Sequence, residues 1–427
     1  MLKSFYHSAL ILLLLTGLIF PAAADAAMKK TLTPKISIQE QYDDNIDLEA
    51  EDEDSDWITL VSPGISLELE SPDTTMALDY EAGFSFYRDD SSRDSTRHKG
   101  RADWDQRLTR HLRFQATDTF IRTEEPILET DERVEIVQRQ RNIYRRNTGQ
   151  VSFSYEFGEE DRLTAGYRNR YFDDMSPSDE DSQGHEGFLN LDAWFTPQYG
   201  IGLTSRCNRG QFEQRDDFDQ YAAGLTANYR WQPSRRFYAR YDFLYHDFED
   251  PGQRNDHRVH QGALGVSLAF GNHTNFDVEG GYFLQDYLNG SRMDGATFKI
   301  GLLTRGQRAS LRLAGSGGYE QDYFSSENLG SSKYRRAFGS AGYLLTENLR
   351  IFASASYSRQ EFFGADIEVD RKDELWRGSG GFSLSFLRRL QLSLEATHSE
   401  RDSDEPAAEF EDNRVTLRLT GAYPFQI

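Results

Sequence analysis

Cysteine is almost absent. Cys207 stands alone, so an oxidising compartment is tolerated, but no disulfide framework can hold the chain together. Proline is scarce, at 11 residues, and no Pro- or Ser-rich linker interrupts the sequence. A chain of this length would ordinarily divide into two or three domains, yet its texture is uniform from Thr33 to Ile427. Positive net charge is missing too: the formal charge of −22 disfavours binding to nucleic acid, whose backbone is itself anionic. The mean hydropathy of −0.70 is too polar for a bundle of membrane-spanning helices. It is not too polar for a transmembrane β-barrel, which wets its interior and needs an apolar residue only at alternate strand positions.

The N-terminus carries an export signature. Lys3 precedes the apolar run Ala9–Phe20, and the small residues Ala22, Ala23, Ala24 and Ala26 follow. That run is short for a spanning helix, which takes about 20 residues. The pattern is that of a signal peptide cleaved after Ala24 or Ala26. With no cysteine near the cleavage point, a lipid-anchored N-terminus is not expected. Residues 1–26 are therefore read as signal peptide and 27–427 as one domain.

The dominant pattern is alternation with period two, the signature of half-buried strands. In Thr274–Leu288, Phe276, Val278, Gly280, Tyr282 and Leu284 oppose Asn275, Asp277, Glu279 and Gln285. In Val415–Ile427, Val415, Leu417, Leu419, Gly421, Tyr423, Phe425 and Ile427 oppose Thr416, Arg418 and Thr420. No long segment shows a 3.6-residue apolar face. Tight turns with Gly, Pro, Asn or Asp recur, as at Ser71-Pro72-Asp73, Thr196-Pro197-Gln198, Gln232-Pro233-Ser234 and Gly271-Asn272-His273. Longer charged connections lie between them, such as Asp47–Asp56, Glu124–Tyr144, Asp173–Gln183, Gly364–Glu374 and Arg401–Glu411. Short periplasmic turns and longer acidic extracellular loops are the habit of outer-membrane barrels. Nine such hairpins with one strand at each end predict an all-β fold: a single transmembrane antiparallel barrel of about 20 strands, with eighteen also compatible. A propeller would need a fixed period near 40 residues and a blade signature. Neither is visible.

In such a barrel the apolar set faces lipid and the polar set faces the lumen. Trp57, Phe120, Tyr171, Phe195, Tyr229, Trp231, Phe270, Phe386, Tyr423 and Phe425 read as interfacial girdle aromatics. The pore-lining candidates are Arg113, Arg168, Arg170, Arg206, Arg240, Arg312, Arg350 and Arg418, with Glu81, Glu156, Asp242, Asp277, Glu279 and Glu395. Their signs nearly cancel, so pairing between neighbouring strands is the simplest expectation. Arg168 and Arg170, two places apart on one face, are the best candidates for a local anionic contact.

Catalytic signatures are lacking: no G-x-S-x-G, H-E-x-x-H, Walker loop or C-x-x-C occurs, so neither enzymatic activity nor a cofactor is expected. His257 and His260 read as a solvated loop-edge pair rather than a metal site. Acidic clusters stand at Asp43–Asp56, at Asp173, Asp174 and Asp179–Asp181, and at Glu400–Asp412. They read as a solvated rim, since they lack the glycine and terminal glutamate spacing of a calcium loop. Divalent bridging to lipopolysaccharide is the sharper alternative.

The segments Thr33–Ile46 (TPKISIQEQYDDNI) and Ser55–Tyr87 resemble the start of a family of porin-like outer-membrane β-barrels. The alternation Gly421, Tyr423, Phe425, Ile427 resembles the C-terminal strand signal by which barrels are recognised for assembly, except that Ile427 stands where Phe or Trp is usual. The resemblance implies a channel for small hydrophilic solutes, with outer-membrane lipid, lipopolysaccharide and the barrel-assembly machinery as partners. Some members accompany exopolysaccharide secretion, so a conduit working with polysaccharide-export components is the second expectation. A structural or adhesive barrel closed by its own side chains is the third.

Overall fold

The computed structural model describes residues 28–427 apart from 130–133, 137–140, 176–180, 214, 250–255, 289–291, 323–329, 364–370 and 388. The expected signal peptide lies outside the described residues. Among those described, twenty strands form one closed antiparallel barrel. They are β1 Lys29–Asp43, β2 Asp56–Glu70, β3 Thr74–Tyr87, β4 Ser95–Arg107, β5 Leu112–Thr123, β6 Tyr144–Glu156, β7 Arg162–Asp174, β8 Ser182–Trp194, β9 Tyr199–Phe212 and β10 Phe218–Gln232. The second half comprises β11 Arg235–Phe248, β12 His257–Phe270, β13 Thr274–Tyr287, β14 Arg292–Arg305, β15 Ala309–Asp322, β16 Gly330–Leu344, β17 Leu349–Phe363, β18 Arg371–Phe386, β19 Leu390–Ser403 and β20 Phe410–Ala422. Each strand pairs with its sequence neighbours, and β1 closes the cylinder on β20 from Lys35↔Ala422 to Asp43↔Arg414. Closure leaves no open edge in hydrocarbon, the condition for a sheet to span a bilayer. After Tyr423 and Pro424 break the last strand, Phe425 and Gln426 resume pairing with Leu32 and Thr31.

Nine tight turns join the strands at one end, where Lys29 and Gln426 also lie. Several share one device. Thr109, Thr196 and Thr346 each accept two backbone N–H bonds through Oγ1, from His111 and Leu112, from Gln198 and Tyr199, and from Asn348 and Leu349. A hydroxyl that closes the turn locally holds the register of the hairpin. Gly271, at φ 61°, occupies the left-handed region that favours glycine.

The register assigns every side chain a face. Outward in β13 are Phe276, Val278, Gly280, Tyr282 and Leu284; inward are Asn275, Asp277 and Glu279, through pairs such as Glu279↔Lys299. Tyr282 is 54% exposed and Leu264, midway along β12, 70%. Such exposure of apolar side chains is costly in water and satisfied by hydrocarbon. Leu264→Arg should therefore destabilise the barrel in lipid vesicles by about 2–4 kcal/mol, the depth-dependent cost of a charge near the bilayer midplane. Gln261→Arg, three residues away on the inward face, should cost little; equal losses in urea titrations would refute the assignment of faces.

Three sequence expectations need correction at the loop end. The alternation there inverts: Tyr144, Phe172, Phe218, Phe248, Phe283, Phe362 and Phe410 face inward and are buried, so the core sits inside the mouth of the cylinder. The acidic rim is also only partly solvated. Asp43, Asp56 and Asp412 are strand residues, buried on the inward face. The strands run on past the apolar belt, so connections expected as loops are wall, and their alternation carries acids inside as readily as out. His257 and His260 stand at the loop edge of the wall but are not a solvated pair, since His257 is buried. Both lie in β12 on opposite faces, because three residues along a strand reverses direction.

Candidate functional site

The lumen is built in three tiers. At the mouth, the β5–β6 connection returns Arg141 to the inward side of β1. Its guanidinium donates to Asp43 Oδ2 at 2.6 Å, to Glu125 Oε1 at 3.0 Å and to the Ile46 carbonyl at 2.5 Å. Arg414 reaches Asp43 at 3.1 Å and Glu125 at 3.3 Å, and Arg97 reaches Glu124 at 2.7 Å and Glu125 at 2.8 Å. Burial would push the Glu125 carboxyl up, but Arg141, Arg97 and Arg414 around it hold it well below the usual carboxylate range. A depressed folded pKa means that the contribution is complete above about 4.3, the free glutamate value. It is lost as pH falls through the folded pKa. Urea stability should thus be level from pH 7 to about 5 as far as this group is concerned and fall below about 4. Glu125→Gln should flatten that acid limb.

Below the mouth, the upper part of β15 leaves the wall. β14 and β15 pair only from Arg305↔Ser310 to Phe298↔Gly317, whereas β15 and β16 stay paired to Asp322↔Gly330. The upper β15–β16 hairpin consequently leans inward from Gly318, whose φ is 156°. Tyr319 packs on Phe283 with ring centroids 5.7 Å apart, and its hydroxyl lies 3.2 Å from His257 Nε2. Gln321 Nε2 donates to His257 Nε2 at 2.9 Å, and Gln220 Nε2 donates to Gln321 Oε1 at 2.5 Å. His246 stacks on His257 at 5.1 Å and 9°. Beneath the hairpin lies a cavity of about 700 Å³, bounded by residues from β8 to β16 that include Asp192, Asn228, Arg236, Arg240, Glu279, Lys299, Arg312 and Arg336.

All the charged residues singled out from the sequence occupy inward register positions: Glu81, Arg113, Glu156, Arg168 and Arg170, Arg206, Asp242 and Arg240, Asp277 and Glu279, Arg312, Arg350, and Glu395 and Arg418. Many engage neighbours. Arg113 meets Asp105 at 2.6 Å, Arg162 meets Glu156 at 2.7 Å, and Arg240 meets Asp242 at 2.9 Å and Glu279 at 2.8 Å. Arg418 donates to Gln39 at 2.6 Å. Arg168 and Arg170 converge on one carboxylate, Glu186, at 2.9 and 3.7 Å. Asp242, Asp277, Glu279, Arg240 and Arg312 are gathered around or beside the cavity; Glu81, Arg113 and Arg418 stand on the opposite run of strands.

The aromatics divide by height. Trp57 and Tyr171 lie toward the loop end with Phe120, and Phe195, Tyr229, Trp231, Phe270, Phe386, Tyr423 and Phe425 at the turn end. Arg389 sits 3.4 Å over the Tyr423 ring, a basic–aromatic pairing suited to the headgroup level.

Sequence reasoning missed Arg141, Arg97, Glu125 and Arg414 at the mouth, and the leaning hairpin. Two signals were available. The inward row Gln39, Gln41, Asp43 continues the alternation of β1 without a break, and Gly317-Gly318 offered a pliable point in β15. Among the described residues no group of His, Cys, Asp and Glu has the arrangement of a metal site.

The family model described as "Putative beta-barrel porin 2" matches residues 204–423, from β9 to the end of the closing strand. Among solved structures, the siderophore receptor PirA from Pseudomonas aeruginosa aligns over 92% of this chain and 80% of its own, at 9% identity and TM-score 0.50. The outer membrane protein OpdK from Pseudomonas aeruginosa aligns over 92% and 99%, at 11% identity and TM-score 0.45. A BenF-like porin from Pseudomonas fluorescens Pf-5 aligns over 94% and 99%, at 13% identity and TM-score 0.44. At such identities the likeness is one of fold. No curated protein sequence matches the chain.

Proposed function

Because this chain belongs to the family described as Putative beta-barrel porin 2, we propose that it is an outer-membrane channel for passive passage of small hydrophilic solutes. The observation that carries this reading is the combination of an apolar outward belt with a polar inward face around a cavity of about 700 Å³. A solute entering such a lumen exchanges its water for Asn, Ser, Thr, Tyr and charged side chains. Because many of those charges already satisfy one another, none needs to hold the solute long, which transit requires. The mouth network and the leaning hairpin reach into the path, and flux past them would follow the concentration gradient. The N-terminal segment would direct export, and outer-membrane lipid with lipopolysaccharide would surround the belt.

Planar-bilayer recording of refolded protein tests the reading. Stable open steps in potassium chloride are expected, and protein that inserts yet never conducts would mark a barrel closed by its own side chains.

A further inference from the structure

The lumen is charged unevenly, against the sign of the whole chain. The sequence carries 70 acidic and 48 basic residues, yet the inward face of β14–β17 presents Lys299, Arg312, Arg336 and Arg350. Glu320 is the carboxylate among that face's described side chains, and it is engaged by Arg336 and by Gln360 at 2.8 Å. Five cationic side chains border the cavity, from Arg236, Arg240, Lys299, Arg312 and Arg336, against the three carboxylates of Asp192, Asp277 and Glu279.

Those carboxylates do not neutralise them all. Glu279 Oε1 accepts from Arg240 at 2.8 Å, and Asp277 Oδ1 accepts the Ser267 hydroxyl at 2.5 Å. Lys299 forms no ion pair with any described residue. Arg236 likewise forms none, and reaches only the Ser267 hydroxyl, at 3.5 Å, and the Tyr238 ring, at 5.6 Å. Cations held in a concave space with low-dielectric walls focus a positive potential, which raises the local concentration of anions. A lining with excess charge of one sign is what selects ions in a pore.

We infer that this cavity is an anion station, and that the solutes favoured by the channel are small organic carboxylates. Lys299 and Arg236 supply the attraction, with Arg312 beside them. Asn228, Asn275 and Tyr238 offer hydrogen bonds to the rest of the solute. Carboxylates suit the site better than multiply charged anions, because Asp192, Asp277 and Glu279 stand among the cations and repel a dense charge.

The inference rests on the channel reading, and one experiment separates the two. Reversal potentials are measured for refolded full-length protein in a planar bilayer under a tenfold potassium chloride gradient, then with potassium acetate and potassium benzoate replacing the chloride. The wild type is expected to prefer chloride over potassium and to keep that preference for both carboxylates. Lys299→Glu with Arg312→Glu should shift the anion-to-cation permeability ratio toward cations by roughly fivefold or more, the factor that one unit charge at 4 Å gives even in water. Lys299→Gln removes one charge without adding a carboxylate, serves if the double variant does not fold, and should move the ratio the same way by less. Open steps with a cation preference in the wild type, or a ratio that neither variant alters, would overturn the inference and leave the channel standing. Absence of steps would overturn the channel reading and the inference together.

Discussion

Arg141→Ala should destabilise the barrel by about 3–5 kcal/mol, the cost of leaving buried carboxylates without their cation. The Arg141 side chain is 3% exposed and bridges Asp43, which is fully buried, to Glu125. Desolvation makes such a pair a poor source of net stability compared with an apolar filling, yet loss of one partner strands the other. The arginine also ties the connection between β5 and β6 to the Ile46 carbonyl, so its removal should release that connection from the mouth. Urea unfolding in lipid vesicles supplies the number. In a Glu125→Gln background the same substitution should cost less by about 1–3 kcal/mol, the coupling of directly paired groups. Additive losses would mean that Arg141 acts by packing alone.

Phe283→Ala is expected to cost about 3–5 kcal/mol as well, for a different reason. Phe283 is 1% exposed and packs with Val259 and Met293, against Leu244 and Tyr319. Its ring is the apolar anchor of the inward-leaning hairpin, because Tyr319 rests on it. Truncation removes the transfer energy of the ring and leaves a cavity that a β-sheet wall cannot collapse to fill. The hairpin should then lose its seat, and single-channel conductance should rise with the fall in stability. Phe283→Leu keeps most of the volume and should stay within about 1.5 kcal/mol of the wild type. A conductance unchanged in Phe283→Ala would show that the hairpin does not limit the path.

Both predictions concern the mouth, and the mouth is where sequence and structure part. Along the belt the two agree closely. The row Phe276, Val278, Tyr282, Leu284 faces outward as its alternation requires, and Glu279 faces its inward neighbours Gly265 and Lys299. The turn at Thr196-Pro197-Gln198 was legible from its proline, and the structure adds the Thr196 hydroxyl that closes it by accepting from the Tyr199 N–H. Tyr144, Phe172 and Phe218 were not legible as interior residues. An apolar side chain at a strand end reads the same whether it meets lipid or a core; what differs is the height of the membrane, set by the whole belt.

With the count of twenty and the closing pair left to the tertiary structure, alternation and turn chemistry alone determined an antiparallel barrel of about 20 strands, eighteen also compatible, and the face of each belt residue. These are local matters, since a period of two and a tight turn are complete within a dozen residues. The tertiary structure alone decided which charges meet and which segment narrows the lumen. Arg141 pairs with Asp43 at 98 positions' separation and Arg414 with Glu125 at 289, contacts that exist only once the first strand has closed on the last. Gln220 meets Gln321 across 101 positions for the same reason: a hairpin can lean only into an interior that a finished barrel encloses.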